Sequence, residues 1–140
     1  MAFLSLLVLE NPWESDVADR LSVVPFVEGF VHWARDMETF VRPFFRKDEL
    51  RLWLEDFGRR RRGISRRLVY VASHGNRKRL GGLPTPTGRG SINFSTFTRV
   101  VREVGRIEGI HLGCCYIGNP SNAERLLRPD NRRRRAVPCR

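Results

Sequence analysis

Residues 3–9, FLSLLVL, form an almost unbroken apolar run that stops against Glu10, Asn11 and Pro12. A strand with one wet face alternates polar and apolar side chains, so a continuous run predicts a strand covered on both faces. Strands of that kind belong to parallel sheets with helices on either side. The run is too short to cross a bilayer and has no basic leader before it. The expectation is a buried strand in a cytoplasmic protein with no membrane association.

The rest of the chain alternates between the two periodicities. Val27, Phe30, Val31 and Ala34 share one helical face behind Pro25. ETFVRPFF (38–45) reads as a second strand, and Pro43 within it predicts an edge or a bulge. Asp48 is expected to cap a helix with Leu50, Trp53, Leu54 and Phe57 along one stripe, ended by Gly58. LVYVA (68–72) is a third strand that runs out at Ser73, His74 and Gly75. Residues 76–90, rich in glycine and proline, are expected to be loop, with SINF (91–94) adding a short hairpin strand. Ser95 is expected to cap a helix carrying Phe97, Val100, Val101 and Val104 on one face and ending at Gly105. GIHLGC (109–114) makes a fourth strand, and SNAE (121–124) has the capping-box pattern that opens a short helix through Leu127.

The predicted order is β-α-β-α-β-α-β, which argues for an α/β protein, a three-layer α/β/α arrangement around a mainly parallel sheet. A 140-residue chain with 41% hydrophobic residues suits one core. The expected division is one α/β domain over residues 1–128 and a basic tail over 129–140.

The net charge of +11 is unevenly spread: residues 1–57 hold 11 acids and 6 bases, whereas residues 58–140 hold 4 acids and 20 bases. The excess lies in GRRRRGISRR (58–67), NRKR (76–79) and NRRRR (131–135). Arginine blocks can bind phosphate backbones, so nucleic acid is one partner class. No aromatic residue interleaves with these blocks as a base-stacking platform would require, and a solvated basic surface explains them as well.

Three cysteines, two of them the neighbours Cys114 and Cys115, make a poor disulfide framework and indicate a reducing compartment. His111 is close to them in sequence, but adjacent cysteines on a strand face opposite ways and no fourth ligand follows, so no metal is expected. GNRKRLGG (75–82) fits neither the P-loop nor the dinucleotide pattern. His111 is expected to be an inward imidazole satisfied by a neighbour, and His32 is assigned no function.

Sites in parallel sheets collect beyond the carboxyl ends of the strands. If strands three and four are parallel neighbours, His74 and a cysteine emerge at the same rim, where an imidazole can assist a thiol that attacks a carbonyl carbon. Gly75 can offer an unobstructed backbone N–H that joins the nucleophile's own N–H in holding an oxyanion. Taken singly, a cysteine here is a small core hydrophobe and His74 the cap of a turn.

LVYVASHGN followed by GIHLGCCYIGN resembles the two signature stretches of caspase-like cysteine peptidases, in which one strand ends in His-Gly and the next in a small residue before the nucleophilic cysteine. The Gln-Ala-Cys motif of caspases is absent. The closer likeness is to the CHAT branch and related bacterial proteins, with Leu112, Gly113, Cys114, Cys115 and Gly118 fitting the nucleophile stretch. The resemblance spans residues 3–127 and implies a caspase-like fold with its first four strands present. It makes Cys115 the nucleophile, Cys114 a small packing residue, and His74 the general acid and base. The oxyanion falls to the backbone N–H groups of Gly75 and Cys115.

The implied activity is a cysteine endopeptidase acting on polypeptides, with no cofactor. Caspase-like domains carry two further strands after the nucleophile, so the expectation includes a partner chain or missing C-terminal segment that completes the sheet. The alternative is a caspase-like fragment that no longer cleaves and binds nucleic acid or a partner instead.

Overall fold

The apolar run becomes the centre of a sheet. In a computed structural model that describes residues 3–11, 22–33, 37–59, 64–81, 84–85, 88–89, 91–113 and 120–127, strand β1 (Phe3–Glu10) has hydrogen-bonded neighbours on both sides. On one side is β2 (Met37–Pro43), and on the other β3 (Ile64–Ala72). Four two-residue strands come next: β4 (Arg79–Leu80), β5 (Pro84–Thr85), β6 (Gly88–Arg89) and β7 (Ile92–Asn93). The last strand, β8 (Gly109–Gly113), pairs with β3. The sheet order is β2-β1-β3-β8 with every pair parallel.

Helices α1 (Val24–Trp33), α2 (Lys47–Arg59), α3 (Phe94–Val104) and α4 (Pro120–Leu127) flank this sheet, which is the expected α/β class. No helix among the described residues is long and apolar enough to cross a membrane. The chain steps from β1 outward to β2, then back across β1 to β3 and on to β8. Right-handed crossovers on that path require α1 on one face and α2 with α3 on the other. The core agrees. Leu7, Leu9, Val69 and Val71 on one face are buried with Leu50, Leu54 and Phe57 of α2 and with Phe97 and Val100 of α3. Val8, pointing the opposite way, is also fully buried. Pro43 closes β2 at the sheet edge, where a missing N–H costs no ladder bond.

The helix boundaries depart from the sequence reading for identifiable reasons. Asp48 is not the cap of α2: Glu49 is, reaching back so that its Oε2 accepts the Phe45 and Arg46 N–H groups at 2.6 and 3.1 Å. Gly58 does not end α2 but lies inside it, buried where α3 comes close; a Cβ there would meet Val104 Cγ1 at 3.1 Å. Ser95 sits within the first turn of α3, whose leading N–H, from Phe94, donates to the Lys78 carbonyl at 2.8 Å. Gly105 does end that helix, at φ +62°. Ser121 likewise falls inside α4, which Pro120 opens. Strand β3 starts at Ile64, so Arg66 and Arg67 of the arginine-rich stretch are strand residues, and Arg67 is buried. The expected loop over 76–90 contains β4, which pairs antiparallel with β7, and the β5–β6 pair. Ala34 and the arginines at 60–62 and 132–135 lie outside the described residues, as does the proposed tail.

Beyond the strand ends, Asn11 ties the three neighbours together. Its N–H donates to the Ala72 carbonyl at 2.9 Å and its side-chain amide to the Phe44 carbonyl at 2.8 Å. Asn11 and Phe44 are both buried, so Asn11→Ala leaves a carbonyl without its donor in a dry setting. The expected cost is about 1–3 kcal/mol, read as a lowered urea midpoint with unchanged slope.

Candidate functional site

The strands deliver their ends to a common rim. The last β3–β8 register pair is Ala72 opposite Gly113. His74 lies two positions beyond Ala72 in the sequence, and Cys115 two beyond Gly113. Strands three and four of the sequence reading are therefore parallel neighbours, as the Cys–His argument requires. Cys114 and Cys115 themselves fall outside the described residues.

The chain leaving β3 turns at once into a hairpin. Gly81 N–H donates to the His74 carbonyl at 2.7 Å, and Asn76 N–H to the Arg79 carbonyl at 3.0 Å. These two bonds bracket the Gly75–Leu80 bridge, which makes Gly75 and Leu80 a non-hydrogen-bonded antiparallel pair. In such a pair each residue's own N–H and C=O point away from the facing arm. The Gly75 N–H is thus turned out of the hairpin and has no partner among the described residues. Buried Ser73 locks the start of the turn: its Oγ donates to the His74 carbonyl at 2.6 Å and accepts the Gly81 N–H at 2.8 Å. His74 itself is half-buried.

Glu10 fixes the neighbouring part of the rim. Its Oε1 accepts the Val23 N–H at 2.8 Å and its Oε2 the Ser22 hydroxyl at 2.9 Å, at the N-terminus of α1. A helix start after the first strand is where doubly wound proteins often hold a phosphate. Here the chain's own carboxylate holds that position, in keeping with the missing phosphate-loop pattern.

Two residues behave differently from the sequence reading or were missed by it. His111 is exposed, not inward: it is on the face opposite the Ile110 and Leu112 side chains and stacks on Tyr70, with ring centroids 5.0 Å apart and planes 5° from parallel. Tyr70 is the residue that sequence reasoning missed. Its hydroxyl lies over Gly113, so close that a Cβ on residue 113 would fall 2.6 Å from it and 3.2 Å from the Val71 carbonyl oxygen. Gly113, the small residue before the cysteine pair, is small because a phenol covers it. The detectable signal was period two: Tyr70 faces away from Val69 and Val71, toward a register partner whose next same-face neighbour is glycine.

The outer edge of β8 is unpaired among the described residues. Beside it runs a groove of about 450 Å³ lined mainly by the apolar residues Val101, Ile107, Ile110, Leu112, Ala123 and Leu126, with Glu108, Gly109 and His111 completing it. No protein-family model matches the chain, and no curated protein matches it.

Crowding at the rim is testable. Gly113→Ala is expected to destabilise the fold by about 1–3 kcal/mol through overpacking against the phenol. Adding Tyr70→Leu to that variant should recover part of the loss, a coupling measurable by urea unfolding of the four-member cycle.

Proposed function

We propose that the chain is the His/Cys-bearing portion of a caspase-like, CHAT-like cysteine endopeptidase. The observation that carries this is the in-register end of the parallel β3–β8 pair, with His74 and Cys115 at equal offsets beyond it. The outward Gly75 N–H, one residue after the imidazole, supports the same chemistry.

In this reading the Cys115 thiolate attacks the scissile carbonyl carbon. The carbonyl oxygen becomes an oxyanion held by the N–H groups of Gly75 and Cys115, each donor contributing about 2.7–4 kcal/mol in comparable sites. His74, protonated, gives its proton to the leaving amine as the C–N bond breaks and the thioester forms. It then takes a proton from water, which hydrolyses the thioester and returns the thiol. Cys114 packs. Neither metal nor cofactor enters any step.

The edge of β8 that is unpaired among the described residues, and the largely apolar groove beside it, support the accompanying proposal that a further polypeptide segment completes the sheet beside the site. An extended segment adding there would pair with the outward N–H and C=O groups of β8 and place alternate side chains in the groove. The same groove favours the second reading, in which a chain of this kind serves as a partner-binding module without cleavage.

Labelling with a peptidyl acyloxymethyl ketone, followed by mapping of the modified residue, separates these readings. Label on Cys115 that survives Cys114→Ala, disappears in Cys115→Ala and slows about 10²–10⁴-fold in His74→Ala is the expected result. Label that persists in Cys115→Ala and vanishes in Cys114→Ala would overturn the assignment. Unlabelled protein whose circular dichroism shows an intact fold would favour the non-cleaving module.

A further inference from the structure

The hairpin that begins at His74 ends in a basic tip, Arg77-Lys78-Arg79, and its backbone is held far more firmly than a solvated turn requires. The Asn76 Oδ1 accepts the N–H groups of Lys78 and Arg79 at 2.9 and 3.0 Å. The Arg77 carbonyl accepts the amide of buried Asn122, from α4, at 3.0 Å. The Lys78 carbonyl accepts the first N–H of α3. Two helices from distant parts of the sequence therefore grip two successive carbonyls of one exposed turn.

The side chains are left uncompensated. Arg77 and Lys78 are exposed and have no acidic partner among the described residues. Arg79 bonds to Ser91 Oγ at 2.8 Å, Asn93 Oδ1 at 2.9 Å and the Ser91 carbonyl at 3.2 Å, all neutral acceptors that orient the guanidinium without cancelling its charge. Arg51, by contrast, meets Glu55 and Glu103, and Arg59 meets Glu55. Three like charges on a pinned turn raise the local potential and lose little freedom when an anion arrives.

We infer that this tip is the recognition surface for an acidic stretch of polypeptide, which binds as it passes the hairpin. Its identity as the segment flanking the scissile bond rests on the peptidase reading above. A peptide fits better than a nucleic acid. A backbone polyanion is held by many cations along a stripe and by exposed aromatics for its bases. Among the described residues the tip offers a compact cluster flanked by Ser91, Asn93 and buried Phe94. A few carboxylates in sequence satisfy it.

The test measures binding without turnover, in the full chain carrying Cys115→Ala, by fluorescence anisotropy. The probes are a short labelled glutamate–glycine peptide, its glutamine–glycine counterpart and oligothymidylate. The acidic peptide is expected to bind best and to weaken as rising salt shortens the Debye length below about 10 Å. The double charge reversal Arg77→Glu, Lys78→Glu should weaken it about tenfold, since each exposed pair contributes a fraction of that factor. Asn122→Ala, which frees the Arg77 carbonyl but keeps every charge, should cost less and leave the salt dependence intact. Equal binding of the glutamine peptide, indifference to the charge reversal, or tighter binding of oligothymidylate lost on the same reversal would each overturn the inference. Because no cleavage is read, failure of Cys115 to label leaves this result standing, and the converse also holds.

Discussion

Pairing of β1 on both of its edges is the constraint that organises the molecule. Register pairs run from Leu4 to Glu10 against β2 and from Phe3 to Glu10 against β3, so nearly the whole strand has its backbone groups occupied sideways. With no edge free, its side chains can meet only the two faces, and both must be covered. That is why Leu7 and Leu9 are buried with α2 and α3 while Val8, on the opposite face, is equally dry. Parallel neighbours also mean that the strand ends converge on one rim. Glu10, Asn11, Phe44 and Ser73 sit there in a continuous set of bonds: Phe44 N–H to the Glu10 carbonyl, Asn11 to Ala72 and Phe44, and Ser73 to its own turn.

A rim so thoroughly bonded leaves few uncommitted polar groups among the described residues. Glu10 is committed to the first turn of α1, and Asn11 and Ser73 to backbone groups. What projects is the hairpin from His74 onward, with the Gly75 N–H turned outward by the geometry of its pair and the basic tip beyond it. On the peptidase reading this fixed bonding matters, because donors that do not reorganise are worth most to a developing charge.

Much of this was legible in the sequence, and the rest was illegible for physical reasons. FLSLLVL, LVYVA and GIHLG announced their strands because β-branched and apolar residues fill a covered sheet. Gly105 announced its helix end because only glycine takes that φ cheaply, and Pro43 announced an edge. Helix starts failed because the donors' partners are distant or compete locally. Glu49 outdoes Asp48 by reaching back, and the Lys78 carbonyl that receives Phe94 N–H is far from Ser95 in sequence. Two-residue strands such as β4 and β7 are too short to show a period at all. Within the candidate site, His74 and Gly75 stood out at a strand end. Tyr70 and the exposure of His111 needed the register that sets residue 70 beside residue 111, a long-range fact no local pattern encodes.

The positions of Gly109 and Gly113 at the two ends of β8 bear on how that edge works. Residue 109 lacks a side chain because Leu68 Cδ2 occupies its place at 2.8 Å, and residue 113 because the Tyr70 phenol does. β3 thus overhangs β8 on one face, while on the other Ile110 and Leu112 turn toward the groove under α3 and α4. The strand carries His111 between two glycines on one side and apolar side chains on the other, with its outer backbone groups unpaired among the described residues. Such an edge favours association, since it offers hydrogen bonds and hydrophobic burial to the same extended segment. On the peptidase reading, the segment that takes that place lies alongside the strand leading to Cys115. Sheet completion and the strand that leads to the nucleophile then share one edge, whose position against β3 is set by the ladder from Leu68–Gly109 to Ala72–Gly113 and by the close fit of the Tyr70 phenol over Gly113.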